Sequence, residues 1–211
     1  MKYQKQGSYV GGLFVFESKL TQEFRLHFDE KIAEMFQSIG IREGSVWIEV
    51  FHDGENYYFN EVGFRYGGSV SIYPVDYFYQ INQVAADIHY ALTGESCISE
   101  HTSLIRSTLP RKKYYCIYPV HINAGTISSI SGLDKIAQLE NIVYLATTKY
   151  LHDRIESSGS FSQVFALVHF VCNTTEECIQ TIDRIHQMLV VFDEHGNNMV
   201  NRMLDVGKII F

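Results

Sequence analysis

What this chain lacks narrows its function before anything it contains. Its four cysteines, Cys97, Cys116, Cys172 and Cys178, form no CxxC pair and no regular spacing. A secreted disulfide framework is therefore not expected; buried free thiols in a reducing compartment are. No stretch reads as the apolar region of a signal peptide, and no apolar run reaches membrane-spanning length, so a cytoplasmic location without a membrane partner is the expectation. The net charge is −7 and there is no basic block, which argues against a nucleic-acid partner; only Arg111-Lys112-Lys113 makes a local basic cluster. The nine histidines, among them His152, His169, His186 and His195, show no HxxxH or HExxH spacing, which argues against a zinc centre built on them. No G-x-S-x-G elbow and no internal repeat is present.

What remains is an ordinary globular composition. The 211 residues suffice for one large or two small domains, and 46% apolar with 19% charged residues is too apolar for disorder.

The stretch that organises the chain runs from Val46 to Ser69. Val46–Phe51 and Tyr57–Val62 are apolar, β-branched or aromatic runs, and Asp53-Gly54 between them is a hairpin signal. Glu49 interrupts the first run, and Asn60 and Glu61 the second. Each carboxylate thus stands among residues that read as buried on both faces. The turn decides whether the two carboxylates meet. A loop with an odd number of residues centred on Glu55 puts Glu49 opposite Glu61; an even loop puts Glu49 opposite Asn60 and turns Glu61 away. Two facing carboxylates repel unless neutralised, and a divalent cation with oxygen ligands is the natural neutraliser. Arg65 and then Gly67-Gly68-Ser69 follow, a cation and flexible backbone amides suited to a phosphate. A purely structural hairpin, with an exposed Glu on an edge strand, reads equally well from pattern alone.

These residues carry a resemblance. The segment is similar to the metal-binding hairpin of the ATP-grasp superfamily, which includes biotin carboxylase, the large chain of carbamoyl-phosphate synthase and L-amino-acid ligases. The family pattern is a Glu on one strand, a turn with Gly, and a second Glu about twelve residues on within Glu-x-Asn-x-Arg; here these are Glu49, Gly54, Glu61 and Arg65. Gly63 stands where the family has Asn, so one metal ligand of the pattern is absent.

The rest of the chain is in keeping. Ser18 offers an N-cap to an amphipathic, core-forming helix over Leu20–Ile39, closed by Gly40. Tyr9–Phe16 reads as a strand bent at Gly11-Gly12. Asn82 caps a helix through about Leu92 with Gly94 closing it. Gly67 and Gly68 read as backbone-permissive, and Tyr73, Tyr77, Phe78 and Tyr79 as core packing or a substrate pocket. The polar stretch Ser96–Lys113 reads as a linker, which divides the chain near residue 100. Beyond it, strands are expected over Tyr114–Ile122, Gly125–Ile130, Ile142–Thr147, Phe161–Cys172 and Val190–Phe192. Asn123-Ala124-Gly125 reads as a hairpin turn, Gly132–Leu139 as a short helix, and Thr174–Met188 as a helix with its buried stripe at Cys178, Ile182, Ile185 and Leu189.

The resemblance implies an α+β fold. Residues 1–100 would be the C-terminal lobe of an ATP-grasp domain, an antiparallel sheet with helices, and residues 101–211 a small β-rich α+β domain. It implies ATP as substrate and magnesium or manganese as cofactor. Glu49 and Glu61 would hold the metal, Arg65 would be catalytic and phosphate-binding, and Gly67, Gly68 and Ser69 would contact phosphate or substrate. The partners it implies are ATP, a small carboxylate and the nucleotide-binding lobes that precede this hairpin in the family, with a homodimer left open. The chain is accordingly expected to be a fragment or split half of an ATP-dependent ligase, and by itself neither to hydrolyse ATP nor to bind it tightly. A non-catalytic binding or assembly domain derived from the same fold is the alternative.

Overall fold

The structure is a computed structural model that describes residues 2–3, 12–98, 113–202 and 204. The chain divides into two compact units, Met1–Glu23 with Pro110–Phe211, and Phe24–Leu109. Among the described residues no helix is long and apolar enough to cross a membrane.

The first unit is the β-rich one. Its main sheet is antiparallel and contains β1 (Lys2–Tyr3), β2 (Leu13–Phe16), β5 (Tyr114–Ile122), β7 (Ile142–Thr147), β9 (Val164–Cys172) and β11 (Val200–Asn201). Its order is β1-β2-β5-β9-β7, with β11 also paired to β5. The near-continuous apolar runs of β5 and β9 fit their central places, since both strands are buried along almost their whole length. A smaller sheet contains β6 (Gly125–Ser131), β8 (Arg154–Ile155) and β10 (Val190–Asp193), in the order β10-β6-β8. Among the described residues two α-helices complete the unit: α4 (Leu133–Ala137) and α5 (Thr175–Met188). On α5 the Thr174 side chain accepts from the Glu177 amide, and Cys178, Ile182 and Ile185 are fully buried together with Leu189 just after it.

The second unit carries α1 (Lys19–Ser38, which begins in the first), the hairpin of β3 (Trp47–His52) and β4 (Tyr57–Gly63), α2 (Ile72–Tyr79) and α3 (Gln83–Thr93). Asn82 caps α3 by accepting from the Ala85 amide at 3.0 Å, and Gly94 ends it at φ +72°.

Several expectations need correction. The division near residue 100 fails for β2, whose Phe14, Val15 and Phe16 pair with Ile117, Cys116 and Tyr115 of β5. The first strand therefore belongs to the sheet of the C-terminal unit. Of the expected strand Tyr9–Phe16 only the part from Leu13 is observed, and residues 9–11 lie outside the described residues, as do 99–112 of the expected linker with Arg111 and Lys112. Asn123-Ala124-Gly125 is no hairpin turn: β5 and β6 lie in different sheets, and β11 takes the edge of β5 at Ile122, where the Asn123 amide donates to the Met199 carbonyl at 2.7 Å. Residues 161–163 form a 3₁₀ turn ahead of β9 rather than its beginning. Helix α1 contains no fully buried residue, so it is not the core element its apolar stripe suggests. Nor are β3 and β4 buried on both faces, because Phe51, Tyr58, Phe59 and Val62 are each more than half exposed.

Candidate functional site

The hairpin turn is even, and the carboxylates face each other nonetheless. His52 pairs with Tyr57, Phe51 with Tyr58 and Val50 with Phe59, which leaves four residues, 53–56, in the turn. On that count Glu49 would meet Asn60. A β-bulge intervenes: Asn60 has no partner in the ladder, and from there Glu49 pairs with Glu61, Ile48 with Val62 and Trp47 with Gly63. One inserted residue thus shifts β4 by one position and turns Glu61 to the side of Glu49.

The turn itself is firmly held. The Asp53 carboxylate accepts from the Glu55 and Asn56 amides at 2.9 and 2.8 Å and from the Tyr58 hydroxyl at 2.9 Å. These bonds to the charged form, the Asn56 amide foremost, hold the Asp53 carboxyl well below the usual carboxylate range. Gly54 takes φ +110° in this turn, a conformation that favours glycine.

The extra residue has a role of its own. The Asn60 side-chain amide donates to Glu49 Oε1 at 3.0 Å, so the repulsion between the facing carboxylates is partly met by an N–H. Arg65 offsets the other carboxylate: its Nη2 lies 3.8 Å from Glu61 Oε1, with both side chains more than half exposed. The Arg65 guanidinium also stands 5.1 Å from the centre of the Trp47 ring and donates from Nη1 to the Tyr66 carbonyl at 2.9 Å. The next residue anchors this loop. The Tyr66 hydroxyl donates to Asp87 Oδ2 on α3 at 2.6 Å, and that hydroxyl is pushed up to about 12 mainly by the Asp87 hydrogen bond.

In the segment Gly67-Gly68-Ser69 the backbone demands fall unevenly. Gly67 is required by contact rather than by backbone freedom: a Cβ there would meet Trp47 Cδ1 at 2.8 Å and Ser71 Oγ at 2.6 Å. Gly68 faces open space. The left-handed conformation falls on Ser69 and Val70, at φ +59° and +57°. For the β-branched Val70 that is strained backbone, of a kind that concentrates at ligand-binding segments. Of the four aromatics after the loop, Phe78 is buried, and Tyr79 lines a cavity of about 360 Å³ with Arg25, Asp29, Ser45 and Asp87. There Arg25 donates to Asp29 Oδ2 and to the Tyr79 hydroxyl, both at 3.1 Å.

Glu49, Glu61 and Arg65 are therefore gathered at one end of the hairpin, and Gly67 packs on the Trp47 indole that also carries Arg65. Asn60 and Trp47 were not assigned a role from the sequence. An amide beside Glu61 in an otherwise apolar run gave no sign of which residue leaves the ladder.

No family model and no curated protein matches this sequence. Solved structures do. An L-amino acid ligase from Bacillus licheniformis is similar over 88% of this chain and 45% of its own, with 21% identity and a TM-score of 0.70. A phosphoribosylglycinamide synthetase from Anaerococcus prevotii is similar over 90% of this chain and 48% of its own, with 13% identity and a TM-score of 0.70. The biotin carboxylase domain dimer of the Hydrogenobacter thermophilus 2-oxoglutarate carboxylase, solved with MgADP, ADP and bicarbonate, is similar over 92% of this chain and 40% of its own, at 14% identity and a TM-score of 0.63. The chain thus has the α+β fold of ATP-grasp enzymes and spans less than half the length of these structures.

Proposed function

We propose that this chain supplies the metal- and phosphate-binding floor of an ATP-dependent carboxylate ligase. The observation that carries the reading is the Asn60 bulge, which sets Glu49 and Glu61 as partners with Arg65 beside them. A structural hairpin has no need to bring two carboxylates together at a bulge; a cation site does. The residues present fit magnesium or manganese, since both carboxylates offer oxygen and such ions complete their shell with water and substrate phosphates. Gly63 offers no side-chain oxygen, so the remaining ligands of the ion in this reading are water and phosphate oxygens. When bound, the ion neutralises charge on the β- and γ-phosphates.

The chain's own residues hold and orient. Glu49 and Glu61 fix the ion, Arg65 balances charge on the phosphoryl group in transfer, and Gly67, Gly68 and Ser69 present backbone to phosphate or substrate. The reaction is the transfer of the ATP γ-phosphoryl group to a carboxylate, followed by displacement of phosphate from the acyl phosphate by an amine or related nucleophile. The neighbours' own substrates, and the ADP and magnesium in one of them, support that class. Because the chain spans less than half of those enzymes, the rest of the nucleotide site belongs to further polypeptide in this reading.

The exposed apolar residues of the hairpin, Phe51, Tyr58, Phe59 and Val62, favour a second reading as an assembly surface without catalysis. Calorimetry separates the two. With ATP in large excess, the first reading expects weak nucleotide binding that needs Mg²⁺ and disappears in the Glu49→Gln/Glu61→Gln double variant. Binding that ignores either Mg²⁺ or the double substitution contradicts it.

A further inference from the structure

Three of the four cysteines, scattered in sequence, converge in the core of the β-rich unit. Cys116 lies within β5, Cys172 ends β9 and Cys178 sits in the first turn of α5. All three are at most 2% exposed. Their sulfurs lie within 4.8 Å of one another, with Cys116 Sγ and Cys172 Sγ 3.8 Å apart. A single buried cysteine is ordinary core packing. Three thiols from three elements on one point are not, because thiol–thiol hydrogen bonds are too weak to draw them together.

A disulfide does not account for the arrangement. The ladder pairs Cys116 with Phe170 and Tyr114 with Cys172, so the two strand cysteines are diagonal neighbours on one face. Such positions lie about 7–8 Å apart, past the reach of a disulfide without backbone movement. A disulfide would also leave Cys178 unexplained.

Ligation accounts for all three. A cation held at about 2.3 Å from each of three thiolates separates the sulfurs by about 3.8–4.0 Å. The observed spacings need to close by less than about 1 Å, within the reach of side-chain adjustment. We propose that Cys116, Cys172 and Cys178 form a binding site for a thiophilic d¹⁰ cation, zinc or cuprous copper. Thiolate sulfur selects these soft ions over magnesium or calcium. Among the described residues the group contains no carboxylate or imidazole, which makes it a sulfur-only site. Each ligating thiol releases its proton to solvent and no electron moves, so one cation displaces up to three protons and binding tightens as pH rises. The site is independent of the hairpin and does not rest on the ligase reading.

The test uses the reduced full chain freed of metal by chelator. One arm adds Zn²⁺ against a chromophoric chelator. The other adds Cu⁺ anaerobically against a cuprous chelator. The proposal expects one tightly held equivalent of one of them, a first shell of three sulfurs by X-ray absorption, a raised unfolding temperature and release of protons. Cys178→Ser and Cys116→Ser should each cut affinity at least tenfold, and Cys97→Ser should leave it unchanged. Should a core variant fail to fold, the sulfur count on the unaltered chain decides alone. An oxygen- or nitrogen-dominated shell, loss of binding in Cys97→Ser, or no equivalent retained against either chelator would overturn the site.

Discussion

Glu49 and Glu61 are partners across an antiparallel pair only because Asn60, between Glu61 and Phe59, is left out of the strand ladder. The four-residue turn alone would have separated them. The bulge thus places the second carboxylate, and its amide holds the first through the 3.0 Å bond to Glu49 Oε1.

Asn60→Ala should accordingly weaken metal–nucleotide binding without unfolding the hairpin. One hydrogen bond of this kind contributes roughly 0.5–1.5 kcal/mol, so a loss of about two- to tenfold in Mn²⁺ affinity at saturating ATP is expected. Manganese titration of the variant with excess nucleotide reads it. An unchanged affinity would remove Asn60 from the site.

Adjacent glycines should behave differently. Gly67→Ala drives a Cβ to 2.8 Å from the Trp47 ring that carries Arg65, and should cost about 1–3 kcal/mol of stability. Gly68→Ala meets nothing within 4 Å and has no positive φ to relieve, so it should stay within about 0.5 kcal/mol. Denaturant midpoints of the two variants, side by side, check this; equal effects would contradict the packing role of Gly67.

The β-rich unit should lose stability in mild acid. The Tyr118 hydroxyl and His186 Nε2 lie 2.6 Å apart, and burial, helped by the Arg202 charge, holds the His186 pKa below its ordinary 6.5. The fold therefore favours the neutral ring. That contribution is complete above the ordinary value of 6.5 and is lost as pH falls from there through the lower folded value. Urea midpoints measured above and below the histidine range should fall for the native chain and fall less for His186→Gln. Equal slopes would show that other groups govern the acid limb.

What could be read from the sequence was local. Asn82 and Gly94 bracket α3, and Asp53-Gly54 makes the turn, because each of these signals acts within a few residues of itself. The bulge was not readable. The alternation of β4 admits two registers, and the choice between them depends on one residue leaving the ladder. The place of β2 was not readable either, since its partners lie about a hundred residues away in β5 and nothing local specifies a distant pairing. The same distance hid the thiol cluster, whose members show no spacing and meet only through the β5–β9 ladder and α5. The exposure of the hairpin departs from its apolar composition, so that reading failed on burial while it held on strand position.

The central claim is that the carboxylates brought together by the bulge hold a divalent cation against nucleotide phosphates. Electron–nuclear double resonance on Mn²⁺, added to the chain with excess ATP, tests it directly through the coupling of the ion to phosphorus. The account predicts protein-held Mn²⁺ coupled to ATP phosphorus, and loss of the protein-held species in Glu49→Gln and in Glu61→Gln while both variants keep the native circular dichroism. An identical spectrum from either folded variant, or Mn²⁺-ATP that stays free in solution with the native chain, would contradict it.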